Sequence, residues 1–141
     1  MNANTFIDTN ILIYAFTEDE PKKREMALSH LDNCFPFVST QVIKEFVNVL
    51  LKKTSLDIST IKTVIDDICD TTKVINEEVS LISSALDIKS RYNYRFYDSL
   101  IISAALNSKC SILLSEDMQD GQIIDGTLKI VNPFLYYSPT Q

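Results

Sequence analysis

Four carboxylates carry the chemistry open to this chain: Asp8, Glu45, Asp98 and Asp117. Each sits against apolar sequence, where an acid is costly unless something compensates it. Asp8 separates Thr5-Phe6-Ile7 from Ile11-Leu12-Ile13, and Glu45 lies within Val42-Ile43-Lys44-Glu45-Phe46-Val47. Asp98 precedes Ser99-Leu100-Ile101-Ile102, and Asp117 follows Ser111-Ile112-Leu113-Leu114-Ser115-Glu116. Brought together by a fold, such acids repel: two like charges ~5 Å apart at an effective dielectric of ~20 cost roughly 3 kcal/mol. Raised pKa values or a bound divalent cation relieve that cost, so the pattern points to a hard-metal site. Thr9, Asn10, Gln41 and Ser115 stand beside these acids and are suited to orient the carboxylates or bound water. Taken singly, each acid has a plainer role. Asp8 and Asp98 suit helix N-caps, Glu45 a solvated pair with Lys44 or Lys52, and Asp117 a turn. It is the four together that argue for a site. Glu116 and Asp120 are weaker candidates that read as solvated turn residues, with a contribution to an outer shell open to either.

The elements that must position these acids alternate between strand and helix. Thr5–Asp8 reads as a short buried strand and Ile11–Phe16 as the start of a helix. Asp19-Glu20-Pro21 opens a helix running to about Asp32, with proline near its first turn and Met26, Ala27 and Leu31 inward. Pro36–Val38 is a second short strand. Ser39 or Thr40 then caps a helix whose stripe is Val42, Ile43, Phe46, Val47, Val49 and Leu50, ended by Lys52-Lys53-Thr54-Ser55. Ile58, Ile61, Val64, Ile65 and Ile68 make Asp57–Asp70 amphipathic. Lys73–Ile75 reads as a strand, and Val79, Ile82, Ala85 and Leu86 mark a helix over Glu77–Tyr92. Phe96–Asn107 is apolar nearly all round, which predicts a buried helix. Ser111–Leu114 follows as a core strand, and Asp125-Gly126 is a turn between Ile123-Ile124 and Leu128–Val131. This order implies an α/β fold with a short, mostly parallel sheet. Asp8 and Asp117 then fall just past the carboxyl ends of strands, where open α/β sheets bind ligands. Asp98 falls in the first turn of the buried helix and Glu45 at the edge of an apolar stripe, so all four can face one crevice.

Composition excludes several alternatives. The 141 residues suffice for one domain with a sizeable core. A net charge of −6 does not suggest a duplex-binding protein, although a bound cation and local basic clusters can offset the global sign. With only two glycines, Gly121 and Gly126, the chain has no phosphate-cradling glycine loop. A single histidine, His30, rules out two-histidine ribonuclease chemistry within one chain. Three widely spaced cysteines suit neither a disulfide framework nor a zinc site, and with no signal-peptide pattern or membrane-length apolar run they favour a cytoplasmic protein.

The motifs resemble those of a known family. Asp8-Thr9-Asn10-Ile11-Leu12, Ser39-Thr40-Gln41-Val42-Ile43-Lys44-Glu45-Phe46, Phe96-Tyr97-Asp98-Ser99-Leu100-Ile101 and Leu113-Leu114-Ser115-Glu116-Asp117 look like the four acidic motifs of PIN-domain nucleases, in order and over nearly the whole chain. Tyr97 stands where many members carry Trp. The short form is most similar to VapC-type toxins of type II toxin–antitoxin pairs. The resemblance implies one PIN domain over residues 1–141, a three-layer α/β/α sandwich, and Mg²⁺- or Mn²⁺-dependent RNA cleavage. Asp8 and Asp98 would be the most direct metal ligands, with Glu45 and Asp117 completing the catalytic pocket. It further implies a homodimer and a small antitoxin, whose Arg or Lys would enter the acidic pocket and displace metal.

For RNA contact the sequence offers Arg91 and Arg95, which lead to Asp98, together with Lys52, Lys53 and Lys89. Tyr92, Tyr94 and Phe96 are available to stack on bases. Lys22-Lys23-Arg24 reads rather as a solvated helix face. Other readings are a PIN nuclease of RNA processing without an antitoxin, and a non-catalytic PIN interaction module. A haloacid-dehalogenase-like phosphatase would need an acid where Asn10 stands. No role is assigned to the tail from about residue 134, Phe134-Leu135-Tyr136-Tyr137.

Overall fold

The strands run outward from the centre of the sheet and then return to its other side. In the computed structural model, which describes residues 2–135, β1 (Asn4–Ile7) pairs in parallel with β2 (Phe35–Ser39), and β2 with β3 (Lys73–Ile75). The chain then crosses back to place β4 (Ile112–Leu114) on the opposite side of β1, followed by β6 (Leu128–Val131), both parallel. Only β5 (Ile123–Ile124) is antiparallel, closing the order β3-β2-β1-β4-β6-β5. Its link to β6 uses Asp125 and Gly126 at φ 49° and 75°, the left-handed conformation that this Asp-Gly pair tolerates.

Helices cover both faces of the sheet. Helix α1 (Thr9–Phe16) packs against α2 (Pro21–Asp32) and α3 (Thr40–Lys53), while α5 (Val79–Tyr92) packs against α6 (Phe96–Asn107). Helix α4 (Ile58–Thr71) lies against α3. Caps match the sequence signals: Ser39 accepts from the Val42 N–H and Asp57 from the Thr60 N–H. The core centres on Phe6 and Ile7 of β1, Val42, Phe46 and Leu50 of α3, and Ile101 and Ile102 of α6, all essentially buried. From Ser99 to Ala105 every residue of α6 is buried, as its all-round apolarity predicts. The three cysteines are free, and no helix among the described residues is long and apolar enough to cross a membrane.

Two expectations need correction. The first strand ends at Ile7, one residue early, because Asp8 leaves the ladder to cap α1. In α5 the inward face is Leu81, Ala85 and Ile88, whereas Val79, Ile82 and Leu86 are exposed. Two apolar stripes share this helix, and α6 covers only one. Tyr136 and Tyr137 lie outside the described residues. Phe134 packs edge-on against Tyr14, with ring centroids 5.1 Å apart.

Candidate active site

The order in which strands are added to the sheet reverses between the parallel neighbours β1 and β4, and their carboxyl ends form the switch-point crevice of an open α/β sheet. Asp8 follows β1, and Ser115, Glu116 and Asp117 follow β4. The two exits are joined directly, the Asp8 N–H donating to the Leu114 carbonyl at 3.0 Å.

Asp8 is the most constrained of the acids. It is buried, and its two oxygens accept from the Thr9 N–H at 2.7 Å and the Ser115 hydroxyl at 2.8 Å. Burial pushes its pKa up to about 6. The bonds from Ser115 and Thr9 oppose that rise, while the nearby Asp98 and Glu45 carboxylates add to it. The fold thus brings Asp8, Glu45 and Asp98 within electrostatic reach of one another. Glu45 projects from α3 and accepts from the Thr9 hydroxyl at 3.2 Å and the Gln41 amide at 3.1 Å. The same amide donates to the Tyr97 carbonyl at 3.2 Å, tying α3 to the start of α6 beside Asp98. Asp98 faces Arg95 at 3.5 Å.

Asp117 occupies the periphery. It is exposed, accepts from the Asn10 amide at 3.1 Å, and is not among the groups that shift Asp8. Thr9, Asn10, Gln41 and Ser115 therefore each hold an acid, and each except Gln41 holds one from a distant motif.

The donor set suits a hard cation. Carboxylate, hydroxyl and amide oxygens line the crevice, and among the described residues Asp8 has no cationic partner of its own. Among the described residues no three acidic, histidine or cysteine side chains form a ready-made metal cage. Mg²⁺ commonly binds through one or two carboxylates, keeping water and phosphate oxygens in its other positions. Asp8 and Asp98, supplemented by Glu45, fit that more open arrangement.

The basic residues divide. Arg91 is committed to a forked pair with Asp125 at 2.7 and 2.9 Å, on the β5–β6 turn. Arg95 is 84% exposed beside Asp98, and Lys52 and Lys53 are exposed at the end of α3. The Tyr92 and Tyr94 hydroxyls are engaged by Asp125 and Gln122, and both rings are partly buried against the core. Tyr97 is the aromatic that faces solvent next to the acids, 63% exposed.

Sequence reasoning missed the role of Glu116. It is not a solvated turn residue: Lys23 meets it at 2.5 Å and the Tyr14 hydroxyl at 2.6 Å. Lys23 also lies over the rings of Tyr14 and Phe134, at 4.8 and 5.3 Å from their centroids. This cluster ties α1 and α2 to the loop carrying Asp117. Its partners lie far apart in sequence, and no local signal connects them. Asp120 likewise accepts from the Asn132 N–H, at 2.8 Å.

The PIN domain family model matches residues 5–119, most of the chain and all four acidic motifs. This chain belongs to the PIN-domain family. A comparison with curated protein sequences gave no match. Solved structures similar to this PIN domain include a toxin–antitoxin complex from Klebsiella pneumoniae. That chain is 20% identical at a TM-score of 0.70, with 92% of this chain and 97% of that one covered. VapC20 of Mycobacterium tuberculosis, described as a sarcin–ricin-loop-cleaving toxin, is 13% identical with a TM-score of 0.66 over 80% of this chain and 91% of its own. VapBC2 from Rickettsia felis, solved with a DNA fragment from its promoter, is 16% identical with a TM-score of 0.66, covering 92% and 99%. At these identities the likeness establishes the fold.

Proposed function

We propose that this PIN domain is a Mg²⁺- or Mn²⁺-dependent endoribonuclease and the toxin of a type II toxin–antitoxin pair. The observation that carries the reading is the buried Asp8, its pKa raised by burial and by the nearby Asp98 and Glu45, at the sheet's switch point. A bound divalent ion would supply a more acidic water and neutralise charge on the phosphate. Asp8 and Asp98 would hold it, with Glu45 and Asp117 completing the oxygen-rich pocket.

The chain's own residues account for the remaining requirements. Ser115 and the Thr9 N–H fix both oxygens of Asp8, so the carboxylate needs little reorganisation on binding. Thr9 and Gln41 fix Glu45, which would accept a proton from an attacking water. Arg95, on the exposed side of Asp98, would contact the RNA backbone, with Lys52 and Lys53 further out. Arg91 would first have to leave Asp125.

Structural relatives solved as toxin–antitoxin assemblies support a small antitoxin partner. A basic antitoxin side chain entering the crevice would relieve the same repulsion that a cation does. The exposed stripe Val79, Ile82 and Leu86 on α5 offers a second copy of this chain apolar surface to bury, in keeping with a homodimer.

The test is cleavage of a mixed structured-RNA pool by purified protein with Mg²⁺ or Mn²⁺, with EDTA, and by Asp98→Asn. Metal-dependent cutting that falls at least 100-fold in the variant is expected. Metal-independent cutting, or equal cutting by the variant, refutes the assignment.

A further inference from the structure

Beside the acids lies a second cavity, of about 410 Å³, lined by Gln41, Lys44, Glu45, Asn48, Glu77, Tyr97 and Leu100. It shares Glu45 with the acid crevice, and Tyr97 immediately precedes Asp98. Its volume falls within the range of small-ligand sites, and its wall is mixed in chemistry. Tyr97 gives an exposed aromatic face and Leu100 an apolar side. Asn48 gives a two-way hydrogen-bonding amide, and Lys44 a cation at the rim. Phe96 braces the Tyr97 ring edge-on at 5.3 Å, so the ring is presented rather than loose.

The hydrogen-bond ledger of this wall is unbalanced. Gln41 spends its amide N–H groups on Glu45 and the Tyr97 carbonyl, which fixes the orientation of the amide and leaves its Oε1 buried without a donor. Glu77 accepts from the Gln41 backbone N–H and faces Lys44, while its Oε2 is buried with no hydrogen-bond donor among the described residues. An unsatisfied buried acceptor is costly, and both belong to side chains that line the cavity, so a ligand rich in N–H donors that turns these side chains towards it relieves the cost. A flat, donor-bearing group that stacks on an aromatic ring is a nucleobase. Among the four bases guanine presents adjacent ring N–H and amino donors on one edge, the pair that a carboxylate such as Glu77 accepts.

We propose that this cavity is a nucleobase subsite that receives an unpaired base flanking the scissile phosphate, stacks it on Tyr97 and favours guanine through Glu77 and Asn48. The proposal rests on the ribonuclease reading and deepens it by assigning substrate selection to residues outside the acid cluster. Lys44 at the rim is placed for a phosphate of the same strand.

The test separates binding from cleavage. GMP, AMP, CMP and UMP are titrated in EDTA against wild type, Tyr97→Ala, Tyr97→Phe and Glu77→Gln, following tyrosine-ring NMR shifts, with circular dichroism to confirm folding. Wild type should bind GMP most tightly. Tyr97→Ala should weaken it on the order of tenfold or more, since stacking on an aromatic ring is worth ~1–3 kcal/mol per base, and Tyr97→Phe should retain it. Glu77→Gln should erase the preference for GMP. Unchanged GMP binding in folded Tyr97→Ala, or equal binding of all four monophosphates, overturns the subsite. No binding to wild type also overturns it, and leaves the cavity to a protein side chain. RNA cleavage with unchanged KM and unchanged cut positions in Tyr97→Ala overturns the subsite while the nuclease reading stands. Selective GMP binding by a protein that cuts no RNA does the reverse.

Discussion

Replacing Asp8 by Asn should make the metal-free protein more stable at neutral pH while abolishing its activity. The carboxyl is raised from 3.8 to about 6 on folding, mainly by burial. The native state therefore holds a proton that the unfolded chain has already released. Stability contributed by this group is complete below pH 3.8 and is lost as pH rises towards 6. About two pKa units at 1.36 kcal/mol each make the penalty above that window roughly 3 kcal/mol. Asn is neutral throughout and escapes it, and its amide oxygen can still accept from the Thr9 N–H. The cost falls on Ser115. Its hydroxyl now donates to Asp8 while accepting from the Met118 N–H, and it would face an NH₂ group instead, losing about 1 kcal/mol. The balance is Asp8→Asn more stable than wild type by about 2 kcal/mol at pH 7.5, and less stable by about 0.5 kcal/mol at pH 4.

Urea denaturation of both proteins in EDTA from pH 4 to 7.5 reads this difference, because titrating groups that do not interact with Asp8 cancel between them. Two curves that stay parallel across the range refute the argument. So does a variant that is the less stable protein at pH 7.5. Repeating the pH 7.5 series with Mg²⁺ tests what the burial is for. At tenfold excess over its dissociation constant, a cation that binds only the native state adds about 1.4 kcal/mol to wild type. The variant should gain little. A wild type indifferent to Mg²⁺ and Mn²⁺ would remove the metal from the mechanism.

Three further outcomes follow from the geometry. Asp117→Asn should reduce RNA cleavage by about 10–100-fold, clearly less than Asp98→Asn, because Asp117 lies at the exposed rim, held by Asn10; equal losses in parallel kinetics would contradict that ranking. Lys23→Met strips Glu116 of its cation and leaves only the Tyr14 hydroxyl, so denaturation should show a loss of about 1–3 kcal/mol, and no loss would mean the pair is idle. Leu86→Glu on the exposed face of α5 should shift a dimer to monomer in sedimentation without altering the circular dichroism spectrum; an unchanged mass places any dimer contact elsewhere.

Local signals were legible where one stretch of chain determines its own conformation. Ser39 and Asp57 as caps, Pro21 at a helix start and Asp125-Gly126 in a left-handed turn all follow from backbone chemistry within a few residues. The all-round burial of α6 followed from its lack of any polar face. The inward face of α5 was not legible, because Val79, Ile82 and Leu86 match the helical period as well as Leu81, Ala85 and Ile88 do. Periodicity finds an apolar stripe, while only the packed partner decides which stripe is covered. Pairing across the fold was also hidden. Arg91 looked free to meet RNA until the β5–β6 turn placed Asp125 against it, and Lys23 looked solvated until Glu116 arrived from the far end of the chain. The acids were visible as residue types in apolar settings. What held them was visible only as neighbouring Thr, Asn, Gln and Ser, with the bonds themselves supplied by the fold.

Those bonds give the site a property that no acid has alone. Asp8 is fixed by Ser115, Glu45 by Thr9 and Asp117 by Asn10, so three of the four carboxylates are gripped by a residue belonging to another motif, while Asp98 meets its neighbour Arg95. Asp8 and Glu45 therefore cannot separate to relax their repulsion unless β1, β4 and α3 part company, and that would open the core through Ile7, Leu114 and Phe46. Repulsion that cannot relax structurally can be relieved only by protonation or by an incoming positive charge. On the proposed function, a divalent ion and a basic antitoxin side chain are two ways of supplying that charge to one place. They must compete, and by linkage each weakens the other by the same factor. Silencing would then need no separate regulatory site. The electrostatic strain that would draw a catalytic cation into the crevice is the same strain that a partner's Arg or Lys would exploit to keep it out.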